Sequence, residues 1–245
     1  NCSKACAINS SIFFSSRYLI ISCFSSNPPW SWSVSHGIPD LIELMGGKDV
    51  LCDKLNYAFE QAADDDFVYG YSGGYISYAN QPGVSNAHVF SWAGKPWLTQ
   101  YWVRRVRAQA YGAVTPDRGY GGHDEDQGQM GGISALMAIG LFSLTGNVDQ
   151  NPSYEITSPI FDRIEITLDD RYYEKGKFVI QTYHNSAGNC YIRQARLNGK
   201  PLHDFRFSHA DFSKGGLLEL WMGPEPAKKW GIFPKKRSPR PVNQR

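Results

Sequence analysis

The chain has 245 residues and nearly balanced charge, with 25 Lys and Arg against 23 Asp and Glu, which excludes a bulk electrostatic footprint for nucleic acid or an anionic membrane surface. Its length exceeds that of a miniature scaffold and can bury a sizeable core as one large or two ordinary domains. Aromatic residues make up 14%, enough either to stack sugars or to fill a large core, and five cysteines without CxxC spacing support neither a zinc site nor a disulfide framework.

Residues 1–29 form an atypical Ser- and Cys-rich segment, and no acid precedes Asp40. Within it, "SIFFSSRYLIISCF" resembles a signal h-region, but Arg17 interrupts it and no convincing small-residue cleavage pattern follows. The stretch is also too short to span a bilayer. Asn9-Ser10-Ser11 is a formal glycosylation sequon, of consequence only on an exported chain.

Residues 30–150 alternate helical patterns with Gly-rich connectors. In "IPDLIELMGGKDVLCDKLNYAFEQ", Ile42, Met45, Leu51, Leu55 and Phe59 recur at helix-compatible spacing, and Gly46-Gly47 separates two helices. "GKPWLTQYWVRRVRAQAYG" predicts another helix, begun near Pro96 and Thr99 and carrying Trp102, Val103 and Val106 on its apolar side. "GGISALMAIGLFSLTG" predicts a third, apolar nearly all round and therefore buried in a helical array. From residue 151 to 234 the period changes: "DRIEITL", "KFVIQTY", "YIRQARLNG" and "GLLELWMG" alternate apolar and polar residues between turn signals, which predicts strands of an antiparallel sheet or sandwich. Residues 235–245 are a basic tail. The stretch from Ala227 onward holds seven basic residues and no acid, a pattern more common in solvated tails than in nucleic-acid arms.

The chemistry concentrates in "GYGGHDEDQGQMGG", residues 119–132, where Asp124, Glu125 and Asp126 stand together between glycines. Adjacent carboxylates disfavour one another's ionisation unless a cation, convergent donors or water compensates. On an extended segment Asp124 and Asp126 point to one side and Glu125 to the other. Carboxylates with amide oxygens from Asn80, Gln81 and Gln127, and no imidazole or thiolate set, suit a hard ion such as Ca2+; the spacing does not match an EF-hand. A carboxylate that activates water in an inverting glycosidase is a second reading, and an exposed structural loop is a third.

Four ordered stretches carry a resemblance. "GGHDEDQGQMGG" followed by "ALMAIGLF" resembles the G-x-D-E-D-x-G-Q signature of the glycoside hydrolase family 92 mannosidases, calcium-dependent inverting exo-α-mannosidases. "VSHGIPDLIELMGGKD" resembles that family's histidine-containing segment and helix, and "YANQPGVSNAHVFSWAGKPWLTQ" its N-[EQ]-P loop. "TSPIFDRIEI", "LNGKPL" and "ELWMGPEP" resemble its C-terminal strands. The resemblance runs from about Trp30 to Pro234. It implies an α+β fold: part of an (α/α) toroid over residues 30–150, followed by antiparallel β-strands.

By position, the resemblance makes Asp126 the base that polarises the attacking water and Asp124 its assistant. It places Asn80, Gln81 and Glu125 around calcium, and His123 orienting Asp124 or touching sugar. Trp30, Trp32 and Trp97 are stacking candidates. The implied partners are α-mannoside glycans cleaved at a terminal, α-1,2-linked mannose with inversion; no nucleic acid and no membrane span are implied. A secreted or extracytoplasmic location follows from the same resemblance.

One departure matters. The family's catalytic acid lies in an E-G-[NT]-A-W-Q-[YW]-[ST]-W segment, and here Phe24 stands where the glutamate belongs. A general acid contributes about 10²–10⁴-fold, so hydrolysis by this chain alone is expected to be weak or absent. The family's N-terminal domain, which would normally pack against this portion, and its first barrel helices are also unmatched, so a truncated homologue is expected. The alternatives are a catalytically inactive calcium and mannoside binder, or a non-functional fragment.

Overall fold

A computed structural model describes residues 32–65, 67, 75–79, 81–115, 128–173 and 176–232. Its first half is helical. Helix α1 (Ile38–Leu44) takes Pro39 in its first turn, where the missing N–H costs nothing, and stops at the expected Gly46-Gly47 break. Helix α2 (Lys48–Ala62) buries Leu51, Cys52, Leu55, Ala58, Phe59 and Ala62, a stripe at intervals of three and four. The short helix α3 (Val89–Trp92) leads to α4 (Pro96–Ala110), again started by proline. The Thr99 hydroxyl joins α3 to α4 by donating to Ala87 O at 2.7 Å and accepting from Ser91 N at 3.0 Å. Between α2 and α4 the Phe59 ring stacks on Trp102 at 5.0 Å, and Trp102 Nε1 donates to Asn56 Oδ1 at 2.8 Å. Burying each such ring contributes on the order of 1.5–3 kcal/mol.

Helix α5 (Gln129–Ile139) is shorter than its apolar pattern predicts. Gly140, at φ 75°, closes it in the left-handed region, and an added Cβ there would lie 2.6 Å from Pro159 Cδ. Nor is α5 buried all round: Met130, Ile133, Met137 and Ala138 are covered while Ala135 is exposed, because the residues that follow leave the helical layer for a sheet.

That sheet has three short strands, β1 (Leu141–Phe142), β2 (Ser153–Ile156) and, later in sequence, β7 (Arg206–Ser208), in the order β1-β2-β7. None of the three shows sequence alternation long enough to announce it. A larger sheet is formed by β3 (Arg163–Leu168), β4 (Gly176–Tyr183), β5 (Tyr191–Leu197), β6 (Lys200–Pro201) and β8 (Gly216–Gly223), in the order β3-β4-β8-β5-β6. The strand periods hold: Phe178 and Ile180 of β4 and Leu218, Leu220 and Met222 of β8 face one core. Its pairings are antiparallel except β4 with β8, which run parallel because β8 returns after three intervening strands. A four-residue helix, α6 (His209–Phe212), follows β7 and is capped by the Ser208 hydroxyl. The two sheets share one core, with Phe178 stacked on Phe207 at 5.3 Å.

Helical and sheet cores meet at Trp92, which packs against both. Its Nε1 donates at 2.7 Å to Glu155 of β2, the one carboxylate buried among the described residues. Glu155 also receives Leu144 N at 3.2 Å and His88 Nδ1 at 3.2 Å, while the His88 ring stacks on Phe142 at 3.7 Å. Arg206, the cross-strand neighbour of Glu155, lies 4.6 Å above the Trp92 ring. Farther along α4, Arg104 Nε donates to Ser158 O at 3.0 Å, and the same guanidinium reaches Pro159 O and Asn185 Oδ1. Charge-assisted bonds of this kind fasten the layers more firmly than neutral ones.

Candidate active site

The bend that follows Tyr75 is organised around one ring. Tyr78, fully buried, donates its N–H to Phe67 O at 2.7 Å, and its hydroxyl accepts from Ala87 N at 3.1 Å. Residues 78 and 87 are thereby tied across the intervening loop. Inside it, Gln81–Gly83 makes one 3-10 turn, and Ala79 N donates to Ser77 Oγ at 3.2 Å. Gly83 is pressed so close to Ser77 that a Cβ would sit 1.5 Å from the Ser77 carbonyl oxygen. The Ser33 hydroxyl donates to Pro82 O, bringing the segment after Trp32 to the same bend.

Tyr111, immediately beyond α4, supplies the link to the acidic segment. Its hydroxyl donates to Tyr78 O at 2.6 Å and lies 3.6 Å from the sulfur of Met130, in the first turn of α5. The sequence between α4 and α5 contains Asp124, Glu125 and Asp126, and of the described residues that flank it Tyr111 bonds Tyr78 while Met130 touches Tyr111. Burial pushes the Tyr78 and Tyr111 phenols far above the ordinary tyrosine range, which keeps both neutral and fixes Tyr111 as a hydrogen donor.

Of the predicted site residues, Gln81 is placed: it opens the 3-10 turn with its side chain exposed. Asn80, His123, Asp124, Glu125 and Asp126 lie outside the described residues, as do Gln127, Trp30 and Phe24. Trp32 is 4% exposed and belongs to the helical core, which removes it as a sugar platform, and Trp97 is half-buried. Tyr78 and Tyr111 were not foreseen from sequence. Their spacing marks them as ordinary core aromatics, and only the partner of each hydroxyl sets them apart.

Among the described residues, no group of three His, Cys, Asp or Glu side chains is positioned to hold a metal. The oxygen donors named in the sequence, three carboxylates and neighbouring amides, fit calcium by their chemistry, since that ion takes carboxylate, carbonyl and water oxygens. No described helix is long and apolar enough to cross a membrane.

Residues 25–224 match the family described as "Glycosyl hydrolase family 92 catalytic domain". An uncharacterized secreted glycosidase of Arthroderma benhamiae is 28% identical over 201 residues, which is 81% of this chain and 23% of that protein. The structure of an α-mannosidase of Bacteroides thetaiotaomicron in complex with mannoimidazole shares the fold, with a TM-score of 0.70 at 21% identity over 84% of this chain and 26% of that one. An inverting mannosidase of the same bacterium gives a TM-score of 0.65 at 29% identity, covering 84% of this chain and 28% of that one. The chain spans about a quarter of the length of these relatives.

Proposed function

The chain belongs to glycoside hydrolase family 92, and from that premise we propose that it carries the water-activating half of a calcium-assisted α-mannosidase site. Asp126 takes a proton from the attacking water, and Asp124 holds that water in line with the anomeric carbon. Asn80, Gln81 and Glu125 supply oxygens to the ion, and His123 orients Asp124 or contacts the sugar. Calcium bound there supplies positive charge and a template for the sugar hydroxyls as the ring flattens. Attack from the face opposite the leaving group gives inversion. The substrate is a terminal mannose, α-1,2-linked, on an extracytoplasmic glycan. Residues 30–150 form the partial barrel that bears the site, and residues 151–234 form the β-region beside it.

The observation that supports this reading is the Tyr111 hydroxyl, which donates to Tyr78 O and touches the Met130 sulfur, so that the described residues flanking the acidic segment meet next to the loop that holds Gln81. A second reading, an inactive calcium and mannoside binder, is favoured by Phe24, which stands where the resemblance calls for the glutamate that protonates the leaving oxygen. The two separate in one experiment on the purified chain with α-1,2-mannobiose. Slow, calcium-dependent mannose release that Asp126→Asn abolishes while calcium binding persists supports hydrolysis. Mannoside binding without release supports the binder. Calorimetry that detects no calcium binding rejects both.

A further inference from the structure

We propose that the outer face of the larger sheet binds a neutral glycan at Trp221, using its ring together with the charged ends of Arg196 and Glu219. Strand alternation sends Gln181 and Tyr183 of β4 and Glu219 and Trp221 of β8 away from the core that Ile180, Leu220 and Met222 fill. Tyr183 and Trp221 are cross-strand partners, and their rings stack at 4.8 Å. A shift of register gives β5 one extra residue between Ile192 and Gln194, so that Gln194 opposes Trp221 and Arg196 opposes Glu219 on the same outer face. Bulges of this kind re-aim side chains and recur beside functional sites. Gln194 and Arg196 are exposed, while Tyr183, Glu219 and Trp221 are half-buried. The Arg196 guanidinium lies 5.3 Å from the centre of the Trp221 ring and forms no ion pair with Glu219, its cross-strand partner. One Glu219 oxygen accepts from the Tyr183 hydroxyl at 3.0 Å, and among the described residues neither its second oxygen nor the guanidinium has a hydrogen-bond partner.

The occupant follows from that chemistry. An aromatic surface beside a fork of N–H donors and a carboxylate acceptor matches a pyranose, whose C–H face is apolar and whose rim hydroxyls both donate and accept. One available cation next to one available anion favours a neutral ligand, since a phosphate would meet Glu219 and an ammonium group would meet Arg196. Neighbouring charges are already engaged: Glu165 binds Arg163 and Lys177, and Arg193 donates to Glu225 O at 2.8 Å. A protein partner fits less well, because Val179 and Leu217 are the only aliphatic residues that β4 and β8 turn outward, too few for the apolar centre of an interface. The surface needs no calcium, so it goes beyond the mannosidase reading and stands or falls apart from it.

The test is calorimetry on the full chain in EDTA, with soluble α-mannan and soluble β-glucan as the two neutral probes. At least one of them should bind. Trp221→Ala should weaken that binding about tenfold or more, the loss expected for an aromatic anchor. Arg196→Ala should weaken it about three- to tenfold, as for one hydrogen-bonding group. Lys177→Ala, at the opposite end of β4, is the control and should leave the affinity unchanged. Should Trp221→Ala fail to fold, the exposed Arg196 variant carries the test. Binding of neither glycan, binding that requires calcium, or unchanged affinity in the folded variants overturns the inference. Self-association that Trp221→Ala abolishes, with no glycan bound, also overturns it and gives the face to a second copy of the chain.

Discussion

Glu155 offers the sharpest test of what joins the helical and sheet layers. Its carboxylate, 1% exposed, accepts from Trp92 Nε1, His88 Nδ1 and Leu144 N, donors that come from α3, the turn before it and the loop after β1. Glu155→Gln keeps the shape, but its single carbonyl oxygen serves at most two of the three donors and its amide turns a donor toward the third. A buried donor left unpaired costs about 1–3 kcal/mol, and breaking a buried charged network costs more, so a loss on the order of 3 kcal/mol is expected. Whole domains are stable by only about 5–15 kcal/mol, which makes that loss easy to see in urea titrations. The specific claim is coupling. Trp92→Phe deletes the indole N–H, and its cost in the native background should exceed its cost in a Glu155→Leu background, which offers no acceptor, by about 1.5–3 kcal/mol. Equal costs in the two backgrounds would show that the 2.7 Å contact carries no stability and would refute the idea that this carboxylate joins the layers.

Two further outcomes follow from groups already described. Burial pushes the Cys52 thiol up to about 11, from an ordinary value of 9.0, so the unfolded chain loses this proton first as the pH rises. Stability tied to the thiol is present below pH 9 and should drain by about 1.4 kcal/mol per pH unit between 9 and 11. Urea midpoints across that window should fall more steeply for the native chain than for Cys52→Ala, and parallel slopes would contradict the assignment. Gly140→Ala places a Cβ 2.6 Å from Pro159 Cδ at a left-handed φ of 75°, so a cost of about 2 kcal/mol and a Tm drop of roughly 4–8 °C are expected by calorimetric scanning.

The local architecture was largely legible. Apolar spacing in α2 and α4, the Gly46-Gly47 break and the two-residue alternation of β4 and β8 each express a one-dimensional rule that survives packing. What escaped is what packing decides. β2 carries the polar stretch Ser153–Ile156 with Glu155 inside it, and it is a strand because β1 and β7 flank it and Trp92 donates to its carboxylate. α5 ends before its apolar run does, because Leu141 and Phe142 are drawn into the small sheet. The acidic segment announced itself through composition and motif, whereas Tyr111 did not. A tyrosine's role is set by where its hydroxyl lands, and that is a matter of tertiary distance. Strand order was equally hidden, since nothing in β8 itself says that its parallel neighbour is β4.

The placement of β8 shapes how the larger sheet is made. It is the last of that sheet's strands in sequence and yet lies in the middle, with β4 on one side and β5 on the other. On a ribosome, the β3–β4 hairpin and the β5–β6 pair emerge while the strand that joins them is still being synthesised. For that interval β4 and β5 each present an unpaired edge, β4 with Phe178 and Ile180 still uncovered, the kind of surface to which a second nascent chain or a chaperone binds.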